Sequence, residues 1–389
     1  MPRSAKISLS SIGRYHFYHL ARQLSTSGEL ARLYTGYPKR MAVASGVPRE
    51  LVESYPWLVA PRMAAGRYLP LSSRLLAQYD DISQRVFDDW VSRTLEPCDI
   101  FHSLSRYALA AGRRAKALGA KFVCEVGSSH ILSQLEMLEL AHSAAGLRPE
   151  GLPPHGVKRE LSEYDLADKI VVLSKSSERS FLEKGVPASK VVCIPLGVDF
   201  SRFNRPQNKA SETFRVLFVG HVGVRKGALN LAKAFRALNL KNSELLFIGT
   251  VDPRVGKSIS DLGGDNIKLV GPVPNGELSQ YYSSASVFVL PSFEDGFGMV
   301  TLEALSCGCP VIVSKHAGSA DVVKDGENGY IFDPTSIDQL KEKLSNLSQN
   351  RELLEEMGNN ALNIRNSDMT WERHSIQVRE MYANILNAD

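Results

Sequence analysis

The sequence predicts an α/β protein made of two doubly wound domains. Short apolar runs alternate with amphipathic stretches of helical period through most of the 389 residues, the pattern left by parallel sheets covered on both faces. Two runs, 7–10 and 215–219, each lead through a glycine-bearing turn into an amphipathic helix, so the chain begins the same arrangement twice. Between them, 191–199 reads VVCIPLGVD, a strand running into Pro195 and Gly197, which suits a hinge. The domains are set at 1–200 and 201–370, with 371–389 as a closing helix.

Taken in order, 7–10 is a strand and 15–24 a helix with Phe17, Leu20, Ala21 and Leu24 on one face. Gly13, in the turn between them, can admit a phosphate or sugar. Residues 31–97 read as helix-rich with several breaks. Tyr55, Trp57, Tyr68, Leu69 and Leu71 there form either core or an acceptor surface. Asp80-Asp81 and Asp88-Asp89 are paired acids that nothing places near a metal. Residues 99–102 and 121–124 end two more strands; His102 and His130 follow or close them, and a His on such a loop is placed for function. Residues 160–168 are helical and 169–174 a buried strand.

The second domain opens on 215–219, followed by Gly-His221-Val-Gly-Val-Arg225-Lys226-Gly and a helix. Arg225 offers a fork and Lys226 a point charge to a diphosphate. Strands follow at 245–250 and before the tight loop 271–274, then at 285–290 and 311–313, with a turn and edge strand at 326–334. Residues 371–386 form an amphipathic helix.

The richest stretch is 291–313, PSFEDGFGMVTLEALSCGCPVIV. It holds a strand end, the turn Glu294-Asp295-Gly296-Phe297-Gly298, a helix over 301–307 and the next strand. Ligands bind at such points in open α/β sheets. Gly296 and Gly298 allow close backbone approach. The N–H groups of Gly298, Met299 and Val300 lack intrahelical partners and suit a phosphate. Asp295 lies at the helix mouth, and Glu303, eight residues on, reaches the side of the same pocket. Carboxylates repel phosphates but accept strongly from sugar hydroxyls. Phosphate donors flanked by two acids point to a sugar nucleotide; capping by Asp295 and a surface role for Glu303 is the plainer alternative.

This stretch resembles the signature of the retaining glycosyltransferases of family four, which have the GT-B fold. Their pattern is an acid, one residue, Phe-Gly, four residues, then Glu-Ala and a Gly-x-Pro-Val segment. Asp295 to Gly298 and Glu303-Ala304 match it in register. The first acid is usually Glu, so Asp295 or its neighbour Glu294 faces the donor sugar. The 191–199 segment is similar to the family's linker. His221 stands where the family has an arginine, and Arg225 is placed to substitute for it. The resemblance implies two Rossmann-like domains facing across a cleft, with the last helix packed back on the first domain. It implies that Gly13 approaches the donor, that Val273 touches the nucleobase, that 316–320 lies near the sugar and that His130 faces it. The expected substrates are a nucleoside diphosphate sugar, UDP- or GDP-linked, and a glycan, lipid-linked or small-molecule acceptor. Bacterial polysaccharide or glycolipid assembly is the family's commonest setting. An epimerase or phosphorylase of the same fold and a non-catalytic sugar-nucleotide-binding subunit are the alternatives.

Composition narrows the classes. Apolar content of 43% and charge of 23% are those of a soluble globular protein. No apolar run approaches the roughly 20 residues of a membrane span. No signal peptide is read, and the cytoplasm is the expected location. Residues 1–200 hold 26 Lys and Arg against 20 Asp and Glu, the remainder 20 against 22. A mildly basic first half is compatible with peripheral contact at the inner face of a membrane, although no dense cluster marks one. Five scattered cysteines form neither a disulfide framework nor a zinc spacing. No Asp-x-Asp occurs, so neither metal nor cofactor is expected, and no nucleic-acid partner.

Overall fold

The computed structural model describes residues 5–13, 16–59, 73–148, 154–203 and 213–387. The first sheet is built from β1 (Ile7–Ser11), α1 (Phe17–Thr26), β2 (Leu30–Thr35), α2 (Lys39–Val43), β3 (Val52–Ser54), α3 (Ser73–Thr94), β4 (Ile100–Leu104), α4 (Leu109–Ala117), β5 (Lys121–Val126), α5 (Ile131–Ala145), α6 (Pro154–Leu166), β6 (Lys169–Val172), α7 (Lys175–Glu183) and β7 (Val191–Cys193). The second comprises β8 (Phe214–Val219), α8 (Ala228–Leu238), β9 (Ser243–Ile248), α9 (Pro253–Asp261), β10 (Ile267–Gly271), α10 (Leu278–Ser284), β11 (Val287–Leu290), α11 (Met299–Ser306), β12 (Val311–Ser314) and β13 (Gly329–Phe332). Then come α12 (Ile337–Gln349), α13 (Arg351–Ala361) and α14 (Trp371–Leu386).

The strand orders are β3-β2-β1-β4-β5-β6-β7 and β10-β9-β8-β11-β12-β13, and neighbouring strands pair in parallel. This is the doubly wound α/β class that the alternating pattern predicts. Central strands such as β11 and β12 are buried along their whole length, as two helical layers require. The order reverses between β1 and β4 and again between β8 and β11. Those two switch points are where open sheets bind ligands.

The main departure lies in 31–97. That segment supplies β2 and β3 as well as helices. β3 is a three-residue edge strand, too short to leave a period in the sequence. Tyr55 stacks on Trp90 at 5.3 Å as part of the packing beneath α3, whereas Trp57 is 74% exposed. Tyr15, Tyr68, Leu69 and Leu71 lie outside the described residues. Asp88 caps α4 by accepting from the N–H groups of Ala110 and Ala111 at 2.7 and 2.9 Å, and Asp81 pairs with Arg85 at 3.0 Å. His102 is fully buried on β4 and faces no loop.

α14 returns to the first domain. Val378, Met381, Tyr382 and Ile385 pack with Ile7, Leu9, Phe17 and Leu24. A polar cluster lies beneath it. Glu125, 0% exposed, pairs with His16 and, at 3.2 Å, with His102 Nε2; His102 Nδ1 meets the Tyr382 hydroxyl at 2.6 Å. His374 Nδ1 meets the carbonyl of Pro195 in the hinge at 2.9 Å. Burial pushes the Glu125 carboxyl up, but His16 and His102 overcome it and hold the group far below the usual carboxylate range. A depressed carboxylate stabilises the fold fully above its unfolded pKa of about 4.3, and that contribution is lost as pH falls through the folded value. Glu125→Gln should therefore cost roughly 3 kcal/mol at neutral pH in urea unfolding, as removing one partner of a buried pair does. A loss below about 1 kcal/mol would show that the buried Glu125 cluster does not hold the fold here.

Candidate active site

The turn 294–298 leaves β11 at the second switch point and feeds α11. Gly298 caps that helix at φ 81°, a left-handed conformation, and a Cβ there would come within 2.9 Å of Leu290 and Ser319. Because the cap lies at Gly298, α11 begins at Met299, two residues before the predicted start. Its first N–H groups, from Met299 and Val300, open toward the turn without intrahelical acceptors. Gly296 meets the other domain: a Cβ on it would sit 2.1 Å from the Gly127 carbonyl oxygen.

Two cations and two acids surround this helix mouth. Arg225 Nη1 donates to the Glu294 carbonyl at 2.8 Å and to Glu294 Oε2 at 3.0 Å. The other carboxylate oxygen of Glu294 accepts from the N–H and hydroxyl of Ser129 at 3.0 and 3.1 Å. Glu294 is thus committed on both oxygens and is 3% exposed. Lys226 Nζ pairs with Asp295. Burial pushes the Asp295 carboxyl up, but Lys226 and Arg225 outweigh it and hold the group ionised, below the usual range. Of the two adjacent acids, Asp295 keeps the more open side chain.

Glu303 lies one face along α11. It accepts from the Tyr282 hydroxyl at 2.8 Å, which aims it, while burial pushes its carboxyl up. The small-residue loop after β12 closes the turn from the far side. Asp295 N–H donates to the His316 carbonyl at 3.3 Å, and Gly318 N–H to the Asp295 carbonyl at 2.8 Å.

Not every predicted site residue joins this group. His130 is 3% exposed; its Nδ1 caps α5 by accepting from Leu132 N–H at 3.3 Å, and its ring packs on Tyr164 and Phe181. Burial, then Lys184, depresses its pKa to about 4, so the ring is neutral. That is a structural cap, which corrects the expectation of a sugar contact. Phe297, 4% exposed, packs in the core with Leu290 and Leu302 and supplies the site only through its backbone. Gly13 lines a separate cavity in the first domain. Val273 is half-buried on the loop after β10, packed against the second-domain core. His221 Nδ1 meets the Thr250 hydroxyl at 3.0 Å.

Sequence reasoning missed Ser129 and Tyr282. Ser129 stands in a Gly-Ser-Ser turn beside the more conspicuous His130. Tyr282 lies 21 residues before Glu303 on a different helix, so no short spacing announces it. Among the described residues, no group of three or more His, Cys, Asp or Glu is placed to hold a metal ion. No helix among them is long and apolar enough to cross a membrane.

Comparison with known proteins bears on the family and the fold. Residues 199–363 match the model of the glycosyl transferases group 1, and 14–202 that of glycosyltransferase family 4. The chain belongs to this glycosyltransferase family, of GT-B fold. It is 30% identical over 232 residues to a D-inositol 3-phosphate glycosyltransferase of Thermobifida fusca, covering 54% of this chain and 52% of that one. It is also 30% identical over 169 residues to an uncharacterized glycosyltransferase of Methanocaldococcus jannaschii, covering 43% and 48%. The chain thus spans about half the length of these curated relatives. Among solved structures, the sucrose-phosphate synthase of Thermosynechococcus elongatus superposes with a TM-score of 0.71 at 20% identity, over 99% of this chain and 100% of that one. HepE of Anabaena, in complex with UDP, gives 0.71 at 15% identity over 97% and 100%.

The contact at Gly296 is with backbone and cannot swing aside. Gly296→Ala should lower stability by about 1–3 kcal/mol, the usual cost of overpacking. Gly156→Ala in α6, where a Cβ meets nothing within 4 Å, should be neutral or slightly stabilising. Equal melting temperatures for the two variants would show that the domains do not meet at residue 296.

Proposed function

We propose that the protein is a retaining, metal-independent glycosyltransferase that moves a hexose-type sugar from a nucleoside diphosphate donor to a glycan, lipid-linked or small-molecule acceptor. The observation behind this reading is the grouping at the mouth of α11: main-chain donors with the Lys226–Asp295 and Arg225–Glu294 pairs beside them, and Glu303 further along the same helix. The naming of its relatives as glycosyltransferases supports it, as does the UDP held by the structurally similar HepE.

The roles follow from charge. As the glycosidic bond breaks, negative charge grows on the leaving diphosphate. Lys226, Arg225 and the first N–H groups of α11 stabilise it, and donors fixed in advance need little reorganisation. A diphosphate competes with Asp295 for Lys226, which frees that carboxylate to accept from hydroxyls of the donor sugar. Glu303, aimed by Tyr282, accepts from the ribose hydroxyls. Val273 lies against the base. Departure and attack on one face of the sugar retain the anomeric configuration. A UDP- or GDP-linked donor fits this division of labour.

Lys226→Ala should lower turnover by about a hundredfold or more at saturating donor, the scale for losing an electrostatic stabiliser. Unchanged turnover removes that role. Activity should survive EDTA, and NMR of the product should show the donor's anomeric configuration; loss of either result rejects that part of the proposal. Because burial raises the Glu303 carboxyl, donor affinity should begin to fall above the ordinary carboxylate range as pH is lowered. Glu303→Gln should flatten that acid limb, and a limb of unchanged shape would assign the titration elsewhere.

A further inference from the structure

A cavity of about 350 Å³ opens at the first switch point, within the range typical of small-molecule sites. Gly13, Tyr37 and Arg106 line it, each two residues beyond the end of β1, β2 and β4; α3 adds Tyr79 and Asp80. Tyr107 completes an aromatic wall. Tyr79 is fixed by donation from its hydroxyl to the Leu58 carbonyl at 2.8 Å.

Arg106 is the unusual member. Its φ is 76°, a conformation that glycine adopts more cheaply than any side-chain-bearing residue. Buried acids hold the loop in that shape. Glu163 accepts from the N–H groups of Arg106 and Ala108, and Glu160 accepts from the Ser105 hydroxyl at 3.2 Å. Arg159 donates to the Arg106 carbonyl at 3.4 Å. The guanidinium itself is weakly engaged. Its Nε lies 4.0 Å from Glu160, which is also taken up by Tyr164, and the side chain is 41% exposed. A strained backbone thus presents a cation to a cavity walled by tyrosines.

We infer that this cavity receives the acceptor, and that the acceptor is a hydroxylated ring bearing an anionic group, phosphate or carboxylate, gripped by Arg106. The tyrosine rings offer flat amphipathic surfaces to the ring and Asp80 accepts from its hydroxyls. Arg106 supplies the fork for the anion. The inference rests on the glycosyltransferase reading above.

The test is calorimetric titration of the full chain with glucose 6-phosphate, glucuronate and glucose, with UDP as a separate probe of the donor site. At least one anionic sugar should bind about tenfold or more tighter than glucose, in a salt-sensitive way. Preference in the phosphate or the carboxylate arm supports the inference and names the group. Arg106→Gly keeps the left-handed backbone, so it should melt no lower than the parent, bind UDP equally and lose the anionic preference. Arg106→Lys should retain part of it. No preference in the parent, or a preference that survives Arg106→Gly, overturns the inference. Failure of UDP to bind the parent would instead count against the donor-site reading and leaves the sugar comparison readable.

Discussion

Glu294 is the point on which the arrangement depends. One carboxylate oxygen accepts from Ser129 of the first domain, and the other, with the residue's own carbonyl, accepts from Arg225 of the second. Both partners converge on a side chain that water hardly reaches. Charge-assisted hydrogen bonds are strong there, and loss of one partner would leave a buried charge. The same side chain therefore joins the domains and fixes Arg225 beside the helix mouth. Gly296, two residues on, lets the two backbones touch. The turn is thus a domain contact as well as the proposed donor site.

The adjacent pair has a different character. Lys226 and Asp295 keep more open side chains than Glu294, and under the proposed function each has a competitor in the sugar nucleotide. On the proposed reading, a diphosphate would draw the lysine and sugar hydroxyls the acid. Glu294 reaches across to the other domain while Asp295 pairs with Lys226 of its own, although the sequence places both acids side by side and both cations side by side. Tyr282 and the 316–320 loop, from other elements, hold Glu303 and the backbone of Asp295 in position.

Much of this was legible in the chain because the rules involved are local. A strand, two glycines and a helix are contiguous, so the turn and the helix after it could be read from spacing, although the spacing puts the helix start at 301 rather than 299. The alternation of apolar runs likewise carried the second sheet and the first apart from β2 and β3. What escaped was decided by packing. β3 is too short to show a period. His130 and Ser129 are neighbours, and only the position of α7 and its Ser180 and Phe181 turns the histidine inward and leaves the serine at the contact. Phe297 looks like a ligand contact by its place in the motif, yet its ring completes the core. That Glu294 makes the contact with Ser129 depends on the position of the other domain. The strained conformation of Arg106 depends on Glu163, 57 residues away.

The most direct measurement is a crystal structure of the protein with a nucleoside diphosphate sugar. The account predicts the β-phosphate within about 3 Å of Lys226 Nζ and of the first N–H groups of α11, with the Asp295 carboxylate turned to the sugar and Glu294 still bridging Arg225 and Ser129. A pyrophosphate bound away from α11, with Lys226 still paired to Asp295, would contradict it.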